Sequence, residues 1–206
     1  MLTLKNVVKA YHDAVILDIP ELTLSHEIYW LLGSNGAGKT TTMKVMAGLI
    51  PFKGDIQVDN TVNCRKQPVQ YRRLVNYAEA EPLYPGFLTG NDLISLYQQT
   101  KGPGYTDINR MSITWEVDRF MHRPVSTYSS GMLKKLSLLL AFTGTPKVIL
   151  LDEPLITLDT QTVPIVYNMV EEFYTQYGVS FCITSHQEVS ARAIQLQVQG
   201  KNIVKI

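Results

Sequence analysis

The sequence predicts an α/β fold with a mostly parallel sheet that is covered on both faces. Short, largely apolar segments at residues 27–32, 148–151 and 179–184 indicate buried strands, and helix-like segments separate them. Strands that are buried on both faces are typical of parallel sheets, which need crossover connections. Ligands of such sheets bind at the carboxyl ends of strands, so functional residues are expected there.

The flanking segments predict the other elements. The first 25 residues alternate apolar and polar side chains, which predicts an antiparallel β subdomain with turns around His12-Asp13 and Pro20-Glu21. The chain of 206 residues is expected to form one domain, with a helical insertion at about residues 84–142. Further predicted elements are helices at 40–49, 91–99, 113–121 and 162–177, a strand at 55–58 and a hairpin turning at Gly200.

Composition excludes several classes of protein. Apolar residues make up 45% of the chain and charged residues 18%, which argues against disorder, and a net charge of +1 gives no support for nucleic-acid binding. Cys64 and Cys182 match no metal spacing, so two reduced thiols in a cytoplasmic protein are expected. The longest apolar run, residues 136–142, is too short to cross a bilayer, and the start lacks the apolar stretch of a signal peptide. We therefore expect a soluble chain; at a membrane, a partner would supply the spans.

A phosphate-binding loop is predicted where the first buried strand ends. Residues 33–40 read GSNGAGKT, which fits G-x-x-x-x-G-K-[ST] in full, and a helix follows. Glycines let consecutive backbone N–H groups point into one concavity, and the helix N-terminus favours an anion. In this pattern Lys39 reaches the β- and γ-phosphates and the hydroxyl of Thr40 ligates Mg²⁺. The loop thus predicts binding of ATP with Mg²⁺.

Two carboxylates follow a second buried strand. Asp152 comes directly after residues 148–151, in the place from which a phosphate loop's partner carboxylate holds Mg²⁺. Glu153 comes next, with its side chain expected to point away from that of Asp152. Glu153 is the candidate general base that polarises the attacking water.

With these motifs the sequence resembles the ATPase subunit of the ATP-binding cassette (ABC) family over nearly the whole chain. Beside GSNGAGKTT and LLDEP stands the segment YSSGM at residues 128–132, which is similar to the family's signature motif. Such a helix N-terminus can hold a γ-phosphate through Ser129 and Gly131, although Ser130 stands where the family usually has glycine. The resemblance implies a head-to-tail dimer, with two ATP molecules held between a pair of cassette subunits.

The resemblance implies further site residues. Leu158-Asp159 matches the family's loop that contacts the other protomer, and His186 matches the switch histidine that positions the water. Tyr11 matches the aromatic residue that stacks on adenine, and the neighbouring His12 stays open as an alternative. The family's usual glutamine falls on Ala80, so either Glu79 or Glu81 takes over its contact or the contact is dispensable. The nucleotide-binding residues of the loop are expected to be Ser34, Asn35, Gly36, Ala37, Gly38, Lys39, Thr40 and Thr41.

The resemblance extends to the type of cassette. The helical region and the segment LYPGFLTGNDL resemble ATPase subunits of ABC-2 exporters, which implies a separate transmembrane permease subunit, docked near residues 79–100, at the inner face of the membrane. The phosphate loop also occurs in haem-exporter ATPases, so that cargo stays open. Two alternatives remain: a soluble cassette ATPase, acting for example in iron–sulfur assembly or translation, and a P-loop small-molecule kinase, which would not need the signature segment.

Overall fold

The computed structural model describes residues 1–187 and 190–206. Within them, the chain forms ten strands and six α-helices. The strands are β1 (Leu2–Tyr11), β2 (Ala14–Leu24), β3 (Ile28–Leu32), β4 (Lys53–Val58), β5 (Val62–Asn63), β6 (Val75–Ala78), β7 (Val148–Asp152), β8 (Ser180–Thr184), β9 (Ile194–Gln199) and β10 (Asn202–Lys205). The helices are α1 (Lys39–Met46), α2 (Pro68–Leu74), α3 (Gly90–Lys101), α4 (Ile108–Thr114), α5 (Ser130–Ala141) and α6 (Val163–Tyr177).

The first sheet is antiparallel, with the strand order β2-β1-β4-β5. Its first hairpin turns after Tyr11, which pairs with Ala14, as the alternating pattern predicted. The turn predicted at Pro20-Glu21 is wrong, because β2 runs on to Leu24. Since β2 lies at an edge of the described sheet, Pro20 interrupts no central ladder, and its missing N–H is tolerated there.

The second sheet positions the functional residues. Its order is β10-β9-β3-β8-β7-β6, and the strands from β9 to β6 run parallel. Every residue of β7 and β8 is buried, as expected for strands covered on both faces. The carboxyl ends of β3, β7 and β8 therefore meet at one edge, which carries Gly33, Asp152 and Ser185.

The helices differ from the sequence prediction at residues 113–121 and at α2, which was not predicted. The helix predicted at residues 113–121 is wrong: α4 ends at Thr114, and a single 3₁₀ turn follows at Val117–Arg119. Two local causes set this. The side chain of Asp107 accepts a hydrogen bond from the amide of Asn109 and so starts the helix early, and Glu116, at φ 58°, has a left-handed backbone that ends it. The short elements β5 and α2 carried no clear sequence signal.

An aromatic cluster joins the helical insertion to the parallel sheet. The ring of Phe142, which is 1% exposed, lies with its centroid 4.8 Å from Phe173 and 6.1 Å from both Trp115 and Phe181. These residues come from the helical insertion, α6 and β8, so the cluster fixes the insertion against one face of the sheet. A second apolar core fills the space between the two sheets.

The longest described helix, α6, has 15 residues. None of the helices in residues 1–187 and 190–206 has the length and hydropathy of a membrane span. Cys64 and Cys182 are buried free thiols, and burial raises the pKa of Cys182 to about 12.

Replacing Phe142 by alanine is expected to lower the free energy of unfolding by about 3–5 kcal/mol, because it opens a cavity between the insertion and the sheet. Urea denaturation followed by circular dichroism measures the change. Phe87→Ala is the control: this side chain is 82% exposed, so a change within about 0.5 kcal/mol is expected. Equal effects of the two substitutions would contradict the assigned core.

Candidate nucleotide-binding and hydrolysis site

The predicted phosphate loop joins β3 to α1 as a cradle of backbone amides. Gly38 caps α1 with φ 100°, and a Cβ there would lie 3.2 Å from the side chain of Ile16, so only glycine fits without strain. Gly36, at φ 80°, faces open space. The first amides of α1 lack intrahelical partners, and the helix dipole places positive charge at the same point. The loop therefore fits an anionic phosphate group.

The side chains of the loop divide into exposed groups and structural ones. The ammonium of Lys39 donates to the carbonyl oxygens of Gly33 at 2.8 Å and Ser34 at 3.3 Å, which holds it over the loop. Thr40 is exposed, whereas Thr42 is buried and donates to the carbonyl of Gly38. Of the other predicted binding residues, Ser34, Asn35 and Gly36 are exposed, and Ala37, Gly38 and Thr41 are half-buried.

Asp152 is a buried carboxylate, 1% exposed, at the end of β7. One of its oxygens accepts a hydrogen bond from the hydroxyl of Thr184 at 2.6 Å, and the other accepts one from the hydroxyl of Tyr77 at 3.3 Å. Burial and the charge of Asp152 raise the pKa of Tyr77, so Tyr77 stays a donor. A buried carboxylate that meets only neutral donors among the described side chains has free acceptor capacity. This donor set fits Mg²⁺, which prefers carboxylate and hydroxyl oxygens.

Glu153 and His186 come together beside Asp152. Oε1 of Glu153 lies 3.7 Å from Nε2 of His186, and the exposed fraction of the side chain is 12% for Glu153 and 69% for His186. The amide of Glu153 donates to the carbonyl and to the hydroxyl of Thr184, at 3.0 and 2.9 Å. The two neighbouring acids therefore have different partners: hydroxyl groups for Asp152, and a solvent-facing imidazole for Glu153.

The signature segment forms a separate cleft. Ser129 caps α5 by accepting from the amide of Met132 at 3.3 Å. A Cβ on Gly131 would lie 2.9 Å from the carbonyl oxygen of Thr157, so a glycine permits this close approach. Ser129, Ser130 and Gly131 line a cleft of about 440 Å³ that contains no residue of the phosphate loop. The cleft and the phosphate loop thus share no lining residue.

Asp159 lies across the same cleft. Its carboxylate accepts from the amide and the hydroxyl of Thr162, both at 2.8 Å, and pairs with the ammonium of Lys135 at 3.1 Å. These contacts, with the Thr162 hydrogen bonds first, lower the pKa of Asp159 to about 2. Lys135 also pairs with Glu116 at 3.2 Å. The ion pairs of Lys135 hold the loop after Glu153 against α5, the helix that begins at the signature segment.

Tyr11 lies at the first hairpin of the antiparallel sheet, with its side chain 46% exposed. The ammonium of Lys9 lies 4.3 Å from the centroid of its ring. A Cβ placed on Gly38 would lie 3.2 Å from the side chain of Ile16 in the same hairpin, so this hairpin lies beside the phosphate loop. His12 is exposed in the turn itself.

The joint after β6 contains the departure at Ala80. Glu79 pairs with Lys44 of α1 at 3.8 Å, and Glu81 is exposed. The carbonyl oxygens of Glu79 and Ala80 accept from the ammonium of Lys134, at 2.8 and 3.0 Å. Neither acidic side chain has a described contact with Asp152 or Glu153. The joint is connected to the site through its backbone carbonyl groups, because Lys134 also donates to the carbonyl of Asp152.

A groove of about 510 Å³ opens beside this joint. Its apolar rim includes Leu83, which is 90% exposed, and Val69, which is 71% exposed. Basic side chains line another part of it, namely Arg72, Arg73 and Lys101. We call this cavity the groove.

Sequence reasoning missed Tyr77, Thr184, Lys134 and Lys135. The sequence held a signal for Lys134. It stands four residues before Leu138 and seven before Ala141, a spacing that places this charged residue on the same, buried face of α5 as apolar residues. The hydroxyl groups of Tyr77 and Thr184 give no such signal, because their role depends on strand pairing.

Comparisons with known proteins give the chain its family. The sequence model of the family described as "ABC transporter" matches residues 19–156. The uncharacterized ABC transporter ATP-binding protein YhcH of Bacillus subtilis is 30% identical over 211 residues, which cover 98% of this chain and 68% of YhcH. The Fe(3+) ions import ATP-binding protein FbpC 1 of Haemophilus influenzae is 29% identical over 211 residues, covering 100% of this chain and 64% of FbpC 1.

The fold agrees with that family. A dimeric structure of the ATP-binding cassette MJ0796, in a post-hydrolysis state bound to ADP and Pi, matches with a TM-score of 0.83 at 19% identity, covering 100% of this chain and 98% of that chain. The predicted α/β cassette fold, with its antiparallel sheet and its mostly parallel sheet, is confirmed. The chain belongs to the ABC transporter family, as an ATP-binding and ATP-hydrolysing cassette.

Proposed function

We propose that this chain is the ATPase subunit of an ABC exporter and that it drives a separate transmembrane subunit from the inner face of the membrane. The observation that carries the proposal is the cluster at the carboxyl edge of the parallel sheet. There, Asp152 accepts from two hydroxyl groups, while Glu153 lies 3.7 Å from His186. The phosphate loop opens at the same edge, after β3. Residues 1–206 act as one domain in this proposal.

The residues of the chain divide the work of hydrolysis. The amides of residues 36–40 and the ammonium of Lys39 hold the phosphates, and the exposed ring of Tyr11 stacks on adenine. Thr40 and Asp152 would hold Mg²⁺, which would offset phosphate charge when it is bound. Glu153 accepts a proton from the water that attacks the γ-phosphate, and His186 holds that water in line. The water oxygen bonds to phosphorus as the bond to ADP breaks, and the proton stays on Glu153 until phosphate leaves.

A second cassette completes the site. The signature cleft is lined by Ser129 and Gly131 and by no residue of the phosphate loop, which favours a nucleotide brought by another chain. At the start of α5, amides without intrahelical partners favour an anion brought by another subunit. The dimeric MJ0796 cassette supports such pairing, as a homodimer or with a related subunit. Asp159, held beside the signature helix by Lys135, would meet the partner together with it.

The groove is the proposed docking surface for the transmembrane subunit. It borders residues 79–84, the joint between the sheet and the helical insertion, so movement at this joint reaches both the groove and the site. Export is proposed because the segment LYPGFLTGNDL, at residues 83–93, resembles exporter cassettes. The name of FbpC 1 describes an importer, so family membership alone does not fix the direction.

Lys39→Ala is expected to weaken ATP binding by roughly 30-fold to 1,000-fold, because one or two charge-assisted hydrogen bonds of about 2 kcal/mol each are lost. Titration with a fluorescent ATP analogue measures the affinity. Lys5→Ala, on an exposed position of β1, is the control and should bind as the wild type does. Unchanged affinity in Lys39→Ala would mean that the phosphate loop is misassigned.

Glu153→Gln is expected to give an ATP-dependent dimer that barely hydrolyses. The amide keeps the size of the side chain but cannot accept the proton, so kcat should fall by about 10²–10⁴-fold. Size-exclusion chromatography with light scattering detects the dimer, and phosphate release gives the rate. The exposed Glu21→Gln is the control. A monomer at high concentration, with bound ATP demonstrated, would contradict the shared site.

Recovery in the membrane fraction is expected to depend on a transmembrane subunit, identified as an integral-membrane protein encoded beside this chain. Leu83→Asp should reduce recovery at least about fivefold, because it places a charge on the apolar rim of the groove. Ile113→Asp, at a side chain that is 65% exposed outside the groove, should not. Equal recovery with and without the membrane protein would instead favour a cassette ATPase that is not coupled to transport.

A further inference from the structure

Lys134 is a fully buried lysine, 0% exposed, on the apolar face of α5. Its ammonium donates to three backbone carbonyl oxygens: that of Glu79 at 2.8 Å, that of Ala80 at 3.0 Å and that of Asp152 at 3.1 Å. An ammonium group has three N–H donors, so each donor has one acceptor. These acceptors belong to two segments far apart in sequence, the joint after β6 and the end of β7.

Burial of this charge is costly. Desolvation lowers the pKa of Lys134 to about 8, against the opposing charges of Asp152, Glu153, Glu79 and Glu81. An apolar residue of similar volume would pack well among the leucines of α5, and buried charges are weak contributors to net stability. Its three hydrogen bonds offset part of that cost, because without the ammonium three backbone carbonyl oxygens would lose a donor. Its three acceptors show where its effect lies.

One acceptor belongs to the peptide group that orients Glu153. Lys134 donates to the carbonyl of the Asp152–Glu153 peptide. The N–H of the same peptide, which belongs to Glu153, donates to the carbonyl of Thr184 at 3.0 Å and to its hydroxyl at 2.9 Å. The peptide is thus fixed from both sides. Glu153 itself has φ 45°, a left-handed conformation that costs a non-glycine residue about 1–2 kcal/mol and persists only when the surroundings impose it. Without the ammonium, one of the two restraints on this conformation is lost.

The other two acceptors belong to the joint beside the groove. Glu79 lines the groove, and Ala80 has no side chain that could reach the hydrolysis site. Lys134 therefore contacts both the backbone of this joint and the peptide before Glu153. A displacement of residues 79–80 would move two of the three acceptors of Lys134. The ammonium would shift with them, and its hydrogen bond to the carbonyl of Asp152 would change.

We infer that Lys134 is a positioning residue that fixes the orientation of Glu153 and links that orientation to the backbone of residues 79–80. The inference rests on the role proposed for Glu153. It also explains how the joint can act on the site although Ala80 stands where the family usually has glutamine: the contact runs through main-chain carbonyl oxygens and one ammonium group.

The test compares purified wild type, Lys134→Met, Lys134→Arg and Glu153→Gln. Lys134→Met keeps the length of the side chain and removes every donor. Its kcat is expected to fall by about ten- to a hundredfold with KM for ATP within about twofold, because misplacement of a reacting group lowers kcat rather than binding. Lys134→Arg keeps the charge and the donors and should recover most of the rate.

Hydrogen exchange gives a readout independent of catalysis. In Lys134→Met, amide exchange should accelerate at residues 79–81 and at Glu153 and Leu155, and it should stay unchanged in β8 and α1. A cooperative urea transition establishes that the variant folds. If Lys134→Met does not fold, Lys134→Gln takes its place, with a neutral amide that cannot satisfy three carbonyl groups, and the same two results are expected.

The outcomes separate this inference from the proposed function. Full hydrolysis in a folded Lys134→Met variant, a loss explained by KM alone, or exchange that accelerates throughout the sheet would overturn the positioning role. If Glu153→Gln is inactive while Lys134→Met is fully active, only this inference fails. If Glu153→Gln hydrolyses ATP at the wild-type rate, the role of Glu153 fails and the inference falls with it.

Discussion

The carboxylate of Asp152, 1% exposed at the end of a fully buried strand, constrains the structure around it. A charge in that position must be offset, and the hydroxyl groups of Tyr77 and Thr184 supply only neutral donors. The ammonium of Lys134 lies nearby on the backbone carbonyl of Asp152, and the free acceptor capacity of the carboxylate itself fits a further cation at the edge of the sheet where the phosphate loop opens. The placement of the loop, the acids and His186 at that edge follows from a parallel sheet, whose carboxyl ends coincide.

At the same edge of the sheet, hydrogen bonds restrain the backbone around the two acids. Glu153 has a left-handed backbone, and its preceding peptide is bonded on one side to Thr184 and on the other to Lys134. Strained residues persist where several contacts impose them, and such places are commonly functional. Lys134 also holds the carbonyl groups of residues 79–80, and Glu79 lines the groove. The inferred positioning role therefore connects the orientation of the acid with this part of the groove. With the docking surface that we propose, coupling between a partner in the groove and hydrolysis would run through these main-chain contacts.

Sequence reasoning predicted features that depend on local spacing. The phosphate loop at 33–40 and Asp152 after its apolar strand each need only a strand end and a few neighbouring residues. Features that depend on register were not predictable: Thr184 reaches Asp152 because β7 and β8 pair these two residues, and Tyr77 does so because β6 pairs with β7. The helix predicted at 113–121 failed because Glu116 takes a positive φ, which its residue type does not indicate. The turn predicted at Pro20 failed because an edge strand tolerates proline.

The central claim is that backbone amides at residues 36–40 grip a triphosphate and its metal opposite Asp152 and Glu153. A crystal structure with Mg²⁺ and a non-cleavable ATP analogue tests it most directly. The account predicts phosphate oxygens within hydrogen-bond distance of those amides, the metal between Thr40 and Asp152, and the carboxylate of Glu153 turned toward the γ-phosphate. An empty phosphate loop in crystals that contain the analogue elsewhere, or a metal held away from Asp152, would contradict it.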